Sequence, residues 1–319
     1  MSAFASLVLM AATADPRASA ATPRQPESIT SRDNRWLKRF RAALSGEPAP
    51  RSSGDAGGEI SGIEGLRLVE TALRAARQPG GVEIIAVLAS DSGVRHLARL
   101  APAIPLPARL LHTSDRLFAQ IAATETPQGI AALVRPRVVT FDDLVSGVPL
   151  ILMMAGMQDP GNVGVLVRTA EGFGATGAAA CSAGGIGTAN PFGPKALRAS
   201  AGSALRLPIL RGASAPIFMA QLRVAGVRVY AACPPASMGT GSEASPTAAP
   251  WEADWRGAVA LVIGNEGAGL PAELVRSADQ IVRIPQAASN SCGEPMDSLN
   301  ASVAGAVLLY EAARQRGLL

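Results

Sequence analysis

The chain has 319 residues, 48% hydrophobic and 17% charged, which exceeds one typical domain and supplies ample apolar side chain for real cores. No apolar run approaches a transmembrane span, and the spacing of Cys181, Cys233 and Cys292 excludes a zinc-ligand pattern and a disulfide framework, so no metal is expected and a reducing, cytoplasmic setting is. A net charge of +4 permits an anionic partner without specifying one, and because only Lys38 and Lys195 are lysines, the arginine bias suits a GC-rich genome before it suits guanidinium chemistry.

Residues 1–27 hold a short apolar run, Phe4 to Ala12, with no cation before it, followed by a Pro, Ala, Thr and Arg-rich drift. A signal peptide would need that charged start, so the segment is expected to be a disordered or misassigned extension. From residue 28 a first domain is expected to run to 138. It opens on SRDNRWLKRFRAAL, where Trp36, Leu37, Phe40 and Leu44 fall at helical spacing among Arg32, Arg35, Lys38, Arg39 and Arg41. Those cations meet one acid, Asp33, and form either an ordinary solvated face or a phosphate-contacting one. Helix-like GLRLVETALRAAR and DRLFAQIAAT then alternate with strand-like EIIAVLAS, ARLLHTS and GIAALVR, an α/β unit.

Residues 139–147, with Asp142, Asp143 and Gly147, are expected to be a linker, and 148–319 a second domain. Its apolar runs VPLILMMA, GAAACSA, VRVYAA, AVALVIG and QIVRIP read as strands buried on both faces, hence a mostly parallel sheet with helices around it. Ligands in such sheets bind beyond the carboxyl ends of strands. Residues 234–255 read instead as a long surface connection.

Three stretches follow strand ends or open a helix. After VPLILMMA, GMQDPGNVGVLVRTA places Asn162 near the start of a helix, where it either caps the helix or hydrogen-bonds a ligand hydroxyl, and Arg168 lies six residues on. After AVALVIG, NEGAGLPAEL brings Glu266 out beside Gly264, Gly267 and Gly269. Gly267, Gly269 and Ala272 formally match a dinucleotide fingerprint, but QIVRIPQ ends without the carboxylate that an adenosine ribose requires, and Glu266 would crowd a pyrophosphate. Last, Ser298, Leu299 and Asn300 lead into an almost wholly apolar helix ending at Arg314 and Arg316, which needs a partner surface from its own sheet or from a second copy of the chain.

In this order, NVGVLVRTA, IGNEGAGL, RIP and SLNASVAGAVLLYE closely resemble the motifs of the SpoU (TrmH) family of RNA 2′-O-methyltransferases, in the SPOUT superfamily. PKALRASAGSALRLPI, with Lys195, Arg198 and Ser200, resembles the segment that family carries between its first two motifs. The first domain is similar, more loosely, to an L30e-like RNA-binding domain. The resemblance implies an α/β fold with a deep trefoil knot at its C-terminal end, a homodimer and S-adenosyl-L-methionine as cofactor. Carried over by position, it implies that Asn162, Arg168, Glu266, Ser298 and Asn300 shape the reaction centre and that Gly264, Asn265, Ile284, Pro285 and Leu299 hold the cofactor. It further implies that Arg32, Arg35, Lys38, Arg39, Lys195, Arg198 and Ser200 contact RNA. The stretch from Ile284 to Leu299 is longer than the family's usual one, with SNSCGE inserted, so closure over the cofactor is expected to differ. A guanidinium does not deprotonate in proteins, so Arg168 is expected to stabilise charge rather than remove a proton. Methylation at a 2′-hydroxyl implies RNA rather than DNA, with ribosomal RNA preferred over transfer RNA. A non-catalytic RNA-binding protein of the same fold is the other class of answer.

Overall fold

A computed structural model describes residues 24–50, 57–234, 246–286 and 298–319. It divides into two compact units: the chain up to Arg137 together with Phe192–Pro194, and Val138–Pro191 with Lys195–Leu319.

The first unit holds a five-stranded mixed sheet in the order β1-β4-β3-β5-β2. Its strands are β1 (Glu27–Ile29), β2 (Ser61–Glu64), β3 (Glu83–Ser90), β4 (Arg109–Thr113) and β5 (Ile130–Arg135). Strands β1, β4 and β3 run parallel, while β5 is antiparallel to both β3 and β2. Strand β1 opens at Glu27, inside the stretch expected to be an extension; residues 1–23 lie outside the described residues. The basic helix is α1 (Arg35–Ser45), capped by the Asn34 side chain, which accepts from Trp36 N at 2.8 Å. Trp36, Leu37, Phe40 and Leu44 bury against Ala86, Leu88, Leu111, Ala131 and Leu133 of the sheet. Two further helices, α2 (Leu66–Ala75) and α3 (Val94–Leu100), cover the other face, where Val87 and Ala89 point by strand alternation. The helix expected over DRLFAQIAAT is the short α4 (Asp115–Ala119). Strand β2 and helix α3 have patterns too short for periodicity to reveal.

One expected RNA contact is corrected here. Arg39 is only 2% exposed, its guanidinium 4.9 Å from the centroid of the Trp36 ring, so it belongs to the packing of α1 rather than to a phosphate-facing surface. Arg32, Arg35 and Lys38 remain exposed. Replacing Arg39 with Ala is expected to cost about 1–3 kcal/mol of stability, read from the urea midpoint, whereas Lys38→Ala changes it by less than about 0.5 kcal/mol.

The second unit is built on a seven-stranded, wholly parallel sheet in the order β10-β12-β9-β11-β6-β7-β8. The expected linker is corrected: Thr140 and Asp143 form a reciprocal capping box that starts α5 (Phe141–Val145). Leu144 is buried in this unit's core, and Phe141 meets Phe218 edge to face at 5.7 Å. The two aspartates that suggested a linker are therefore the polar side of a helix N-terminus. Strands β6 (Leu150–Ala155), β7 (Gly177–Ser182), β9 (Arg228–Ala232), β11 (Val259–Ile263) and β12 (Gln280–Val282) fall on the five apolar runs. Two edge strands, β8 (Ile209–Ser214) and the two-residue β10 (Thr247–Ala248), complete the sheet. The second of these, with Trp255 fully buried and its indole N–H donating to Pro250 O at 2.8 Å, corrects the reading of 234–255 as surface connection; residues 235–245 lie outside the described residues.

Helices α6 (Pro160–Gly172), α7 (Pro194–Ala199), α8 (Ala215–Val224), α9 (Ala272–Arg276) and α10 (Ala301–Gln315) surround the sheet. Helix α6 packs tightly on α7: a Cβ at Gly164 would come within 2.5 Å of Ala196 O and 2.7 Å of Ala199 Cβ. The expected knot depends on the path between residues 286 and 298; residues 287–297, including SNSCGE, lie outside the described residues.

From β6 the chain proceeds to β7 on one side, and from β11 to β12 on the other. Neighbouring strands β6 and β11 thus leave their carboxyl ends in opposite directions, opening a crevice between their loops.

Candidate active site

The three sequence stretches meet at that crevice. Helix α6 is capped by Asp159, whose side chain accepts from Gly161 N at 3.0 Å, with Pro160 in the first turn. Asn162 is therefore not the cap, and its side chain is released to face Glu266 across the crevice. The Glu266 carboxylate accepts from Gln158 N, Asp159 N and Asn162 Nδ2, each at 3.2 Å. Asn162 Oδ1 in turn accepts from Asn300 Nδ2 at 3.3 Å. The Asn300 Oδ1 caps α10, accepting from Ser302 N at 2.9 Å, Ser302 Oγ at 2.6 Å and Val303 N at 3.4 Å.

The direction of this chain follows from its end groups. An ionised carboxylate can only accept, so Asn162 presents its NH2 to Glu266 and its oxygen to Asn300. The Asn300 oxygen is held by the helix N–H groups, so its NH2 faces Asn162. Partial burial pushes the Glu266 carboxyl up, but the hydrogen bonds it accepts outweigh burial and hold it below the ordinary glutamate range. It stays charged at neutral pH, which suits an orienting acceptor and not a general acid.

The loop after β11 has its own internal brace. Asn265 N and O pair with Gly269 at 3.0 Å in both directions, Asn265 Oδ1 accepts from Gly267 N and Ala268 N at 2.9 Å, and Asn265 Nδ2 donates to Gly156 O at 2.9 Å. Gly264 carries this loop so closely that a Cβ there would lie 2.5 Å from Gly269 C and 2.7 Å from Leu270 N. Ile284 and Leu299 are half-buried, and Pro285 and Ser298 are exposed. Gln286 Oε1, directly after Pro285, is buried without a hydrogen-bond partner among the described residues.

Other expected site residues separate. Arg168 is exposed and, among the described residues, makes no hydrogen bond to Asn162, Glu266 or Asn300; six residues of helix turn it about 120° away from Asn162. Lys195 is exposed, and its Nζ sits 2.7 Å from Asp159 Oδ1, a contact that is the first cause holding the Asp159 carboxyl below its ordinary range. Arg198 is also exposed. Ser200 is corrected: it is fully buried, its hydroxyl donating to Leu197 O at 3.1 Å, and it serves the packing of α6 on α7. Asp159 and Ser302 were not singled out from sequence, although Asp-Pro before an apolar run is a readable helix start. Among the described residues no cluster of His, Cys, Asp and Glu could hold a metal, and no helix is long and apolar enough to cross a membrane.

A parallel sheet whose switch-point crevice is lined by carboxamides and one fixed carboxylate defines an α/β protein that binds and orients a ligand there. The chain belongs to the SpoU rRNA Methylase family, whose sequence profile matches residues 149–310. It is 32% identical over 249 residues to the 23S rRNA (guanosine(2553)-2′-O)-methyltransferase RlmP of Bacillus subtilis, spanning 78% of this chain and 86% of that one. It is 30% identical over 216 residues to the 23S rRNA (guanosine-2′-O-)-methyltransferase RlmB of Ralstonia nicotianae, spanning 66% of this chain and 79% of that one. Among solved structures, an AdoMet-bound rRNA methyltransferase from Sinorhizobium meliloti superposes with a TM-score of 0.71 at 28% identity, covering 93% of this chain and all of the other.

Proposed function

We propose that this chain methylates a ribose 2′-hydroxyl of ribosomal RNA in the cytoplasm, with S-adenosylmethionine as methyl donor and as a homodimer. The observation that carries the reading is the hydrogen-bond chain from Glu266 through Asn162 to Asn300 at the mouth of the crevice. The family relationship and the relatives named above supply the reaction class.

The residues present fit the cofactor. Gln286 Oε1 offers a buried acceptor without a protein partner among the described residues, and Gly264, its Cβ position closed by the backbone of Gly269 and Leu270, keeps the loop after β11 tight. Gly264, Asn265, Ile284, Pro285 and Leu299 would hold it. When bound, S-adenosylmethionine supplies an electrophilic methyl carbon on a sulfonium. The chain's part is to place the 2′-oxygen in line with that carbon, a positional effect able to supply much of the rate. Glu266 fixes the Asn162 carboxamide, and Asn162 and Asn300, with Ser298 beside them, offer polar contacts to the ribose. Arg168, turned away from Asn162 within its own chain, would act across the dimer interface, stabilising charge developing on the 2′-oxygen and on neighbouring phosphate, and the proton leaves to water or phosphate. Lys195 and Arg198, together with Arg32, Arg35 and Lys38, contact the RNA backbone.

The homodimer is supported by an apolar stripe on α10: Val303 is 50% and Tyr310 49% exposed, with Val307 between them and exposed Val165 on α6. A second copy covers such a stripe. Arg168 is on the same side of α6 as Val165, one helical step of three residues away, so it would stand at the dimer interface. The knotted path of the C-terminal loops belongs to the same reading.

Incubation with tritiated S-adenosylmethionine and total bacterial RNA tests the proposal. Label in 23S ribosomal RNA, located to a 2′-O-methylribose by sequencing, is the expected result. Cofactor binding with no label in any RNA would assign the chain to non-catalytic RNA binding, and label confined to transfer RNA would overturn the substrate.

A further inference from the structure

The first unit carries a second concentration of positive charge, on the face of the sheet opposite α1. Arg67 and Arg74 lie along one ridge of α2 with Glu70 between them, and Arg77 continues that ridge just past the helix end. Arg95 and Arg99 lie one turn apart on α3, with His96 beside them. The two helices are neighbours, because Arg99 forms an ion pair with Glu70. All five arginines are exposed, and among the described residues Arg67, Arg77 and Arg95 have no acidic partner.

Glu70 is the acid within this face, and it is taken by Arg99. At the head of α3, Asp91 faces His112 Nε2 at 3.1 Å, and Asp115 accepts from Ser92 N at 3.0 Å and Ser92 Oγ at 2.8 Å. Those carboxylates are thus engaged away from the ridge. Burial, then the charges of Arg95 and Arg99, hold His96 below the usual histidine range against an opposing Glu70. A locally positive potential acts in that direction. The ridge from Arg67 to Arg77 spans roughly 15 Å at helical rise, long enough to follow several phosphates of one strand.

We propose that the α2–α3 face is a second RNA-binding surface of the first unit, contacting the phosphate backbone through Arg67, Arg74, Arg77, Arg95 and Arg99. It rests on the reading of RNA as substrate, and it places phosphate contacts on both faces of the sheet, with α1 serving the other. An apolar partner is disfavoured because the ridge is charged throughout, and an acidic protein because neither α2 nor α3 exposes a large hydrophobic side chain to anchor it, whereas RNA supplies a regular array of anions.

The test measures the affinity of the full chain for protein-free 23S ribosomal RNA between 50 and 200 mM KCl, a range of about fourfold in salt. Substituting Arg67→Gln, Arg74→Gln, Arg77→Gln and Arg95→Gln together is expected to lower the slope of log affinity against log salt by about 3, and the affinity at low salt by at least about tenfold. The same four positions changed to Lys are expected to keep the wild-type slope. An unchanged slope in the Gln variant overturns the proposal, as does a Lys variant that loses as much as the Gln variant. If the quadruple Gln variant does not fold, Arg95→Gln alone is read: a slope lower by about 1 supports the surface and no change overturns it. Loss of affinity for intact large ribosomal subunits with an unchanged slope on naked RNA would assign the face to a ribosomal protein instead. Methyl transfer by the wild type is scored separately, so failure of the enzymatic reading is distinguishable from failure of this surface.

Discussion

Replacing Glu266 with Gln is expected to lower the single-turnover rate of methyl transfer about a hundredfold while changing the stability of the chain by no more than about 1 kcal/mol. The two effects separate because the carboxylate is exposed, so water can satisfy what the substitution leaves unpaired. Orientation cannot be restored in that way. One carboxylate oxygen accepts from Gln158 N, and the other from Asp159 N and Asn162 Nδ2. A glutamine offers one acceptor oxygen and one NH2, and whichever end it presents, a donor meets a donor. Asn162 is then free to rotate, and the link to Asn300 and the cap of α10 loses its direction. An unchanged rate would remove the hydrogen-bond chain from the mechanism.

The pH dependence follows from the same bonds. The folded carboxyls of Glu266 and Asp159 both lie below their ordinary values. Their contribution is fully present above those ordinary values and is lost as the pH falls through the lowered ones. The wild type should therefore show no ionisation from either group between about pH 5 and 9, and should lose order at the site only in acid. Partial unfolding of the crevice beginning near neutral pH, followed by NMR or hydrogen exchange, would contradict this.

Gly264→Ala is expected to weaken S-adenosylmethionine binding by at least about tenfold and to cost about 1–3 kcal/mol of stability. The new methyl group would meet backbone atoms of Gly269 and Leu270 at 2.5–2.7 Å, and backbone cannot rotate aside as a side chain can. Relief requires the loop after β11 to move, which breaks the Asn265–Gly269 pairing and shifts Glu266 on the same loop. Gly267→Ala is the control, since its Cβ would meet only Asn265 Oδ1 at 3.7 Å, an ordinary contact. Calorimetric titration of both variants reads the difference. Equal affinity in the two would take the loop out of the cofactor site.

Much of this architecture was legible in the residues alone because burial writes itself into composition. The runs at β6, β7, β9, β11 and β12 are apolar without alternation, as strands covered on both faces must be, and five of the seven strands in the parallel sheet were readable for that reason. The edge strands β8 and β10 escaped: β8 is mostly half-buried or exposed and so lacks the continuous apolar signature, and β10 is only two residues long. The linker reading failed at Phe141, Leu144 and Val145, an apolar face of one turn that is too brief to outweigh two aspartates.

Side-chain roles divided along a similar line. That Asn162, Glu266 and Asn300 belong together could be read from their order and their family resemblance, but no spacing states that Asp159 takes the cap and frees Asn162 to bridge the other two. That depends on which strands are neighbours, and β6 and β11 are more than 100 residues apart in the chain. Burial settled the arginines and serines in the same way. Arg39 and Arg35 are alike in a charge count and, four residues apart on one helix, both lie over the Trp36 ring, yet Arg39 is buried and Arg35 is left exposed. Local sequence thus specified the elements and the chemical types at the crevice, because propensity and apolar patterning act over a few residues. Which polar groups face one another, and which cations are left for a partner, depended on contacts between distant segments that only the assembled sheets bring about.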